Sequence, residues 1–448
     1  MSTSTITRRR FLAGSAVAAT FAAWPRVQGA HAAGKLAIGF WDHWVPGAND
    51  VLRKTVLDWA EKAKVEMQID FITSVGQKNL LTAQAEAQAK TGHDIFAHPT
   101  WQPAVHQKLL EPVDDVIGAL IKKHGAVHPT VEFLGKLDGR WVAVPTTIGS
   151  QVKPCCSRLD LYKQHAGIDL QKIFPASDNR DKALTDTWSW ETYLDSAQKL
   201  HKAGFPVGNP MGQTSDAVDW VGALFRSYGV VLVDEKDNIK VNSPETRAAL
   251  EYMKKLCAVM PPDIYAWDDA GNNRWLVSGK GAGIMNPPSA WAVAKRDNAK
   301  LAEQCWTHDM PKGPKGRFVG YLPYFWGIWS FSKNKQAAKD LLLHLSEKEQ
   351  AQKFVNGSQG YDIPPFKTYY DFDIWKREGP PVGSVYNYPP RGDQQTNLAG
   401  YPARPAVGAQ IYTQALCPNM VAKVAQANEP IDRVIKWAEG EIEGYLRG

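Results

Sequence analysis

The sequence predicts an α/β protein of two lobes, and three observations lead to that expectation. Short alternating strands and amphipathic helices follow one another in the order β-α-β-α-β over the first part of the chain. A second region repeats the alternation with longer helices. The 448 residues are too many for one ordinary core, yet neither an internal repeat nor a low-complexity linker divides them. Two α/β lobes joined by chain crossings, rather than by a flexible tether, satisfy all three. With 44% apolar and 22% charged residues, the composition excludes a disordered, collagenous or coiled-coil chain.

Leu36-Ala37-Ile38-Gly39-Phe40 alternates apolar and small residues and reads as the first strand. Leu52, Val56 and Trp59 fall at i, i+4 and i+7 of a helix over residues 49–62. Val65, Met67, Ile69 and Phe71 give a period-two strand. A helix over about 79–90 leads to a short strand at Asp94-Ile95-Phe96-Ala97. This order implies parallel strands with crossover helices. A further strand, Trp141-Val142-Ala143-Val144, is expected to stop at Pro145. In the second region Thr187 begins a helix carrying Trp190, Leu194, Ala197 and Leu200, which Gly204 ends. Ser243 as N-cap and Pro244 at the first helical position open a helix whose apolar face is Leu250, Met253, Leu256 and Cys257. Asn334 caps a helix with Ala338, Leu341, Leu342 and Leu345. The last helix follows Pro430, with Ile431, Val434, Ile435, Ala438, Ile442 and Tyr445 on one side. Residues 355–410, rich in Pro, Gly and Tyr, read as a long segment that wraps the surface or lines a cleft.

Residues 1–32 read as an export leader. Thr7-Arg8-Arg9-Arg10-Phe11-Leu12 precedes an apolar run to Trp24 that is too short to span a bilayer, and Ala30-His31-Ala32 supplies a cleavage site. The arginines followed by Phe-Leu resemble a twin-arginine signal. Cleavage leaves a chain beginning at Ala33 or Gly34, without a cysteine for lipid anchoring. The formal charge of +6 owes four units to Arg8, Arg9, Arg10 and Arg26. The remainder is nearly balanced and gives no electrostatic reason to expect nucleic acid or an anionic membrane as partner. Cys155, Cys156, Cys257, Cys305 and Cys417 are an odd number without a C-x-x-C pair, so neither a disulfide scaffold nor a metal site is expected, although one disulfide remains open. Cys257 is expected as a buried thiol.

Catalytic signatures are absent: no H-E-x-x-H, no G-x-S-x-G and no phosphate loop. Gly279-Lys280-Gly281-Ala282-Gly283 has the wrong spacing for a dinucleotide loop, and Arg391-Gly392-Asp393 reads as a surface turn. His93, His98 and His106 match no helix face and read as solvated or core histidines. Aromatics say more. Of 17 tryptophans, Trp24 leaves with the leader. Trp41, Trp44, Trp101, Trp220, Trp267, Trp291, Trp326 and Trp329 are not explained by amphipathic periodicity. An indole face fits the C–H surface of a sugar ring, and neighbouring Asp, Asn, Gln and Arg can meet its hydroxyls. Open α/β sheets bind ligands beyond the carboxyl ends of their strands. Trp41-Asp42-His43-Trp44 and His98-Pro99-Thr100-Trp101 both lie there.

Several motifs in order then resemble one family. Gly92-His93-Asp94-Ile95-Phe96 is similar to its G-x-x-D-I segment, with His93 where Pro is usual, and Leu110-Glu111-Pro112-Val113-Asp114 to the L-x-P-L-D that follows. The run from Gly135 through Trp141 to Pro145 resembles the strand entering the hinge. Asp186-Thr187-Trp188-Ser189-Trp190-Glu191 resembles P-x-T-W-x-E. The block from Leu276 through Gly279-Lys280, Asn286 and Ser289 to Trp291 resembles F-x-x-G-K-A-A-M-x-x-N-G-P-x-x-W. Ile328 to Lys335, followed by Ala337-Ala338, is similar to the stretch before the family's A-A-x-x-F helix. Residues 35–448 thus resemble the extracellular solute-binding proteins of ABC importers, in the carbohydrate-binding group of the maltose-binding protein family. Cys155-Cys156-Ser157 stands where relatives often read Tyr-Asn, which puts that contact in doubt.

The resemblance implies a two-lobed periplasmic binding protein fold with hinge crossings between discontinuous domains, near 146, 320 and 370. It implies an N-terminal lobe of 33–145 and 321–370 and a C-terminal lobe of 146–320 and 371–448. It further implies binding without chemistry, no cofactor or metal, a carbohydrate ligand, delivery to a membrane permease, a periplasmic location and a monomer. Carried over by position, the ligand-binding residues are Trp41, Asp42, Trp44, Gln77, His98, Trp101, Asp219, Trp220, Asn286, Ser289, Trp326 and Tyr412. Two alternatives stay open: a binding protein for a non-sugar such as an aromatic or amino compound, and an exported hydrolase using Asp42 with Asp219.

Overall fold

The computed structural model describes residues 34–177, 179–286, 289–377 and 392–447. The leader read at residues 1–32, Ala33 and Arg391 lie outside them. The first lobe follows the expected order: β1 (Lys35–Trp41), α1 (Pro46–Ala63), β2 (Glu66–Ile72), α2 (Lys78–Ala89) and β3 (Ile95–Pro99). β1 runs parallel to both neighbours, with Lys35 opposite Glu66 and Ile38 opposite Ile95. Leu36, Ile38 and Phe40 share one core with Leu52 and Val56 of α1. The parallel order places the carboxyl ends of all three strands on the same side of the sheet.

The strand expected to stop at Pro145 instead runs Val144–Lys153. Among the described residues it pairs only with the long strand Gly316–Ile328, where Pro145 stands opposite Phe325. At a sheet edge the missing N–H costs no ladder bond, which is why proline did not end the strand. Gly316–Ile328 is antiparallel to β3 at one end and parallel to Gln395–Asn397 at the other. The register between the two long strands shifts between Leu322 and Tyr324, so residues 147–150 bulge. Gly149 takes φ +87° there, a conformation that an L side chain resists. Ser150 Oγ accepts from Tyr324 N (2.9 Å) and donates to Thr146 O (2.5 Å), restoring bonds the bulge removes. His43 Nε2 and Gly149 N both meet Asp362 Oδ1, at 3.0 and 2.9 Å, which ties this bulge to two further segments.

Beyond Pro154 the chain enters Cys155–Arg158, the centre of a three-stranded antiparallel sheet with Gly283–Met285 and Cys305–His308. The helices Trp190–Lys202, Ser215–Tyr228, Pro244–Cys257 and Ile431–Arg447 complete the second lobe. Ser243 caps as expected, its Oγ accepting from Thr246 N at 3.1 Å; such a cap contributes about 1 kcal/mol. The helix expected from Thr187 begins at Trp190, because Ser189 Oγ accepts from Thr192 N at 3.2 Å and takes the cap. Ser215–Tyr228 had no counterpart in the sequence reading. Eleven of its 14 residues are buried, the polar Asp216 and Asp219 among them. It packs onto Gly316–Ile328 at Gly320, where an added Cβ would stand 2.6 Å from Asp219 Cβ.

Of the segment 355–410 the described residues hold short helices and a strand; Tyr361, Ile363, Phe366, Tyr369 and Trp375 are buried, and Tyr361 lines the cleft described below, the second of the two roles expected for the segment. All five cysteines are buried and unbridged, Cys257 among them. No described helix is long and apolar enough to cross a membrane.

Candidate functional site

Two adjoining cavities open between the lobes, beyond the carboxyl ends of β1, β2 and β3. Counting the solvent open to them, the larger spans about 650 Å³ and the smaller about 330 Å³, and both are lined by Ser74, Ser215, Asp269, Leu322 and Tyr324. From the first lobe come Trp41 and Trp44 after β1, Ser74 and Gln77 after β2, and Pro99 and Thr100 at the end of β3. From the second come Thr214, Ser215 and Asp216 at the start of the buried helix, then Asp269, Asn286, Ser289 and Tyr412. Gln151, Leu322, Tyr324 and Tyr361, from the crossing segments, form the floor. Gln77 Nε2 donates to Gln213 O across the opening at 3.3 Å.

The aromatic floor is preorganised. Trp41 sits 5.2 Å from Tyr324 and 4.8 Å from His43, centroid to centroid, and His43 stands edge-on to Tyr361 at 4.7 Å. The Trp41 indole N–H and Gln151 Oε1 are buried without a hydrogen-bond partner. On the opposite wall Asn273, Asn286 and Ser289 hold one another: Asn286 Nδ2 donates to Asn273 Oδ1 at 2.8 Å and Ser289 Oγ to Asn286 Oδ1 at 3.2 Å.

Behind the second wall lies a charged cluster that the sequence reading missed. Lys153 Nζ, at the end of the strand Val144–Lys153, stands 2.8 Å from Asp216 Oδ1 and 2.7 Å from Asp219 Oδ2, and donates to Ser215 Oγ at 3.2 Å. Burial opposes the Lys153 charge, but the two carboxylates outweigh it and hold the ammonium above its ordinary value. Burial pushes Asp219 up to about 6 even against Lys153. Asp269 receives the Ser215 hydroxyl at 3.4 Å; burial, with Asp216 beside it, pushes its carboxyl up to about 7.

Of the twelve residues expected to touch ligand, six line the cavities: Trp41, Trp44, Gln77, Asn286, Ser289 and Tyr412. The other six do not. Asp42 is exposed and accepts from Asn49 Nδ2 at 2.8 Å, fastening the start of α1. His98 is fully buried beside Phe96, His106 and Trp329, and burial holds its imidazole well below the ordinary value. Trp101 is buried with Nε1 donating to Ala399 O at 3.1 Å. Trp220 Nε1 donates to Pro210 O at 2.8 Å, and Trp326 packs on Phe40 at 5.7 Å. Asp219 stands behind the wall, paired to Lys153. Neither Asp42 nor Asp219 lines a cavity, so the carboxylate pair of the hydrolase alternative is not assembled.

A family profile for bacterial extracellular solute-binding proteins matches residues 58–380. Comparison with curated proteins by sequence gives no significant match. The fold is shared with maltose-bound MalE3 of T. maritima, at TM-score 0.71 and 18% identity over 92% of this chain and 99% of that one. A sugar transporter from Arthrobacter chlorophenolicus A6 with bound laminaribiose gives TM-score 0.71 and 16% identity over 92% and 99%. A solute-binding protein from Thermotoga lettingae TMO bound with alpha-D-tagatose gives 0.70 and 16% over 92% and 100%. With two lobes, a cleft between them and a profile covering most of its length, this chain belongs to the bacterial extracellular solute-binding proteins.

Proposed function

We propose that the protein is the periplasmic substrate-binding subunit of an ABC importer. It holds a carbohydrate or related polyhydroxylated solute in the interlobe cleft and delivers it to the membrane permease. The cleft itself carries this reading: Trp44 offers a partly exposed indole over a floor of Trp41 and Tyr324, while Gln77, Gln151 Oε1 and the Trp41 indole N–H offer hydrogen bonds in several directions. That pairing suits a solute with C–H faces and a hydroxylated rim. Maltose, laminaribiose and tagatose in the three similar structures agree with it.

Solute closes the lobes because it touches both walls only in the closed form. The bulged crossing at residues 147–150 is the hinge this motion needs. The N-terminal lobe comprises 33–145 and a second segment beginning at 321. The Thr368 bond to His124 O (2.8 Å) ties that segment to the lobe, and the Trp375 Nε1 bond to Gly360 O (2.9 Å) favours extending it from 370 to 377. Export by the twin-arginine route and action as a monomer complete the reading, with binding and release in place of turnover. Calorimetry against mono- and disaccharides, polyols, amino sugars and sugar acids tests it. Micromolar binding, worth about 8 kcal/mol, is expected for at least one neutral or cationic member. Silence across the panel, or recovery of the solute chemically altered, overturns the proposal.

A further inference from the structure

The cleft has a one-sided charge. Among the described residues that line its two cavities none is Lys, Arg or His, and two, Asp216 and Asp269, are acids. Asp216 has partners of its own: Lys153 at 2.8 Å and Asn272 Nδ2 at 2.7 Å. Lys153 is also held by Asp219 and is itself almost wholly buried, so its charge is shared; it reaches Asp269 too, but burial and the Asp216 carboxylate outweigh it there. Asp269 has no ion-pair partner among the described residues. Its side chain receives the Ser215 hydroxyl, at 3.4 Å, with the Asp216 backbone N–H beside it, and it lines both cavities.

A second observation shows that the same space is built for a guest. The Trp41 indole N–H and Gln151 Oε1 belong to residues 3% and 4% exposed, line the smaller cavity and have no hydrogen-bond partner. Polar atoms left so are ordinarily satisfied, here by whatever enters. On closing, water leaves this space, and Asp269, whose nearest cation Lys153 already serves two other carboxylates, becomes costly to hold ionised. A guest with an ammonium group removes that cost by a charge-assisted hydrogen bond. The indole and phenol faces of Trp41, Trp44, Tyr324 and Tyr361 around it favour a cation and do nothing for an anion.

Resting on the carbohydrate reading above and narrowing it, we infer that the natural solute is a polyhydroxylated amine, an amino sugar or aminocyclitol. Its ammonium sits against Asp269 and its ring against Trp41 and Trp44. Sugar acids and sugar phosphates are turned away by the same wall.

Titration calorimetry at pH 7 on the full mature chain, using D-glucosamine against D-glucose and the β-1,4-linked glucosamine disaccharide against cellobiose, tests this. In at least one pair the amine should bind ten-fold or more tighter than its neutral counterpart. Asp269→Asn should then collapse that ratio to within about three-fold, because it removes the charge and keeps the shape. A neutral sugar binding as tightly as its amine, or a ratio that survives Asp269→Asn, overturns the inference and leaves the carbohydrate reading standing. Absence of binding by amine and neutral sugars alike overturns both.

Discussion

The wall of the cleft built from β1, β2 and β3 carries Trp41, Trp44, Ser74, Gln77 and Thr100 and no charge. The facing wall carries Asp216 and Asp269 at the surface, with Lys153 and Asp219 directly behind. The neutral wall is a set of strand-end residues, each placed by its own short loop. In the charged wall one ammonium joins the hinge strand to the start of a helix more than sixty residues away. Such a group cannot be altered without touching the fold, whereas the neutral wall can change its ligand contacts and leave the lobes intact. The difference separates affinity from stability within a single site.

Lys153→Met should produce the largest effect, because it leaves Asp216 and Asp219 buried without their cation. Stripping one partner from a buried ion cluster costs about 3–5 kcal/mol, read as a lowered denaturant midpoint. Adding Asp219→Asn should restore part of that loss by removing one of the stranded carboxylates. If Lys153→Met costs less than about 1 kcal/mol, within the range of exposed pairs, the charged wall is no more tied to the fold than its neighbour.

Trp44→Ala tests the neutral wall and should do the reverse. Trp44 is half-buried and lines the smaller cavity. Losing one stacking face should weaken the best-binding sugar of the calorimetric panel about ten-fold, or ~1.4 kcal/mol, with a nearly unchanged melting temperature. A destabilisation as large as that of Lys153→Met would erase the distinction.

The two walls also differed in how far the sequence exposed them. β1, α1, β2, α2 and β3 were legible because each buries one face, so apolar spacing tracks geometry. Trp41 and Trp44 then followed from the rule that ligands lie beyond strand ends, and Gln77 from the family resemblance. Lys153 was hidden once Pro145 was taken as a strand end, since the edge position that tolerates proline is a property of the sheet. Asp216 and its helix were missed although the apolar spacing is helical, and the polar side of that spacing, Asp216 and Asp219, is buried rather than solvated. Trp101, Trp220 and Trp326 misled for a different reason: an indole that packs a core and one that faces a sugar look alike in composition. Only the neighbours tell them apart, Ala399 O for Trp101 and Pro210 O for Trp220.

Asp269 joins the two halves of the comparison, and its smaller effect shows only as a function of pH. Burial and the neighbouring Asp216 raise its folded-state pKa to about 7, whereas an unfolded chain ionises Asp near 3.9. Between these values the folded protein holds a proton that the unfolded chain has lost. Stability of the wild type therefore falls as pH rises through that window and levels off above it. Asp269→Asn has no such proton. Measured without ligand, its stability relative to wild type should climb from pH 4.5 to pH 7.5 and then stay flat. Because water in the cleft screens the group, the gain should be about 1 kcal/mol rather than the full shift. Burial lowers the imidazoles of His106 and His128 to about 4, which tilts stability the opposite way over the same range, but both proteins share those histidines and the difference cancels them. A gap that does not change with pH would mean that Asp269 is solvated like a surface acid, and the cleft would then have no charged wall to contrast with its neutral one.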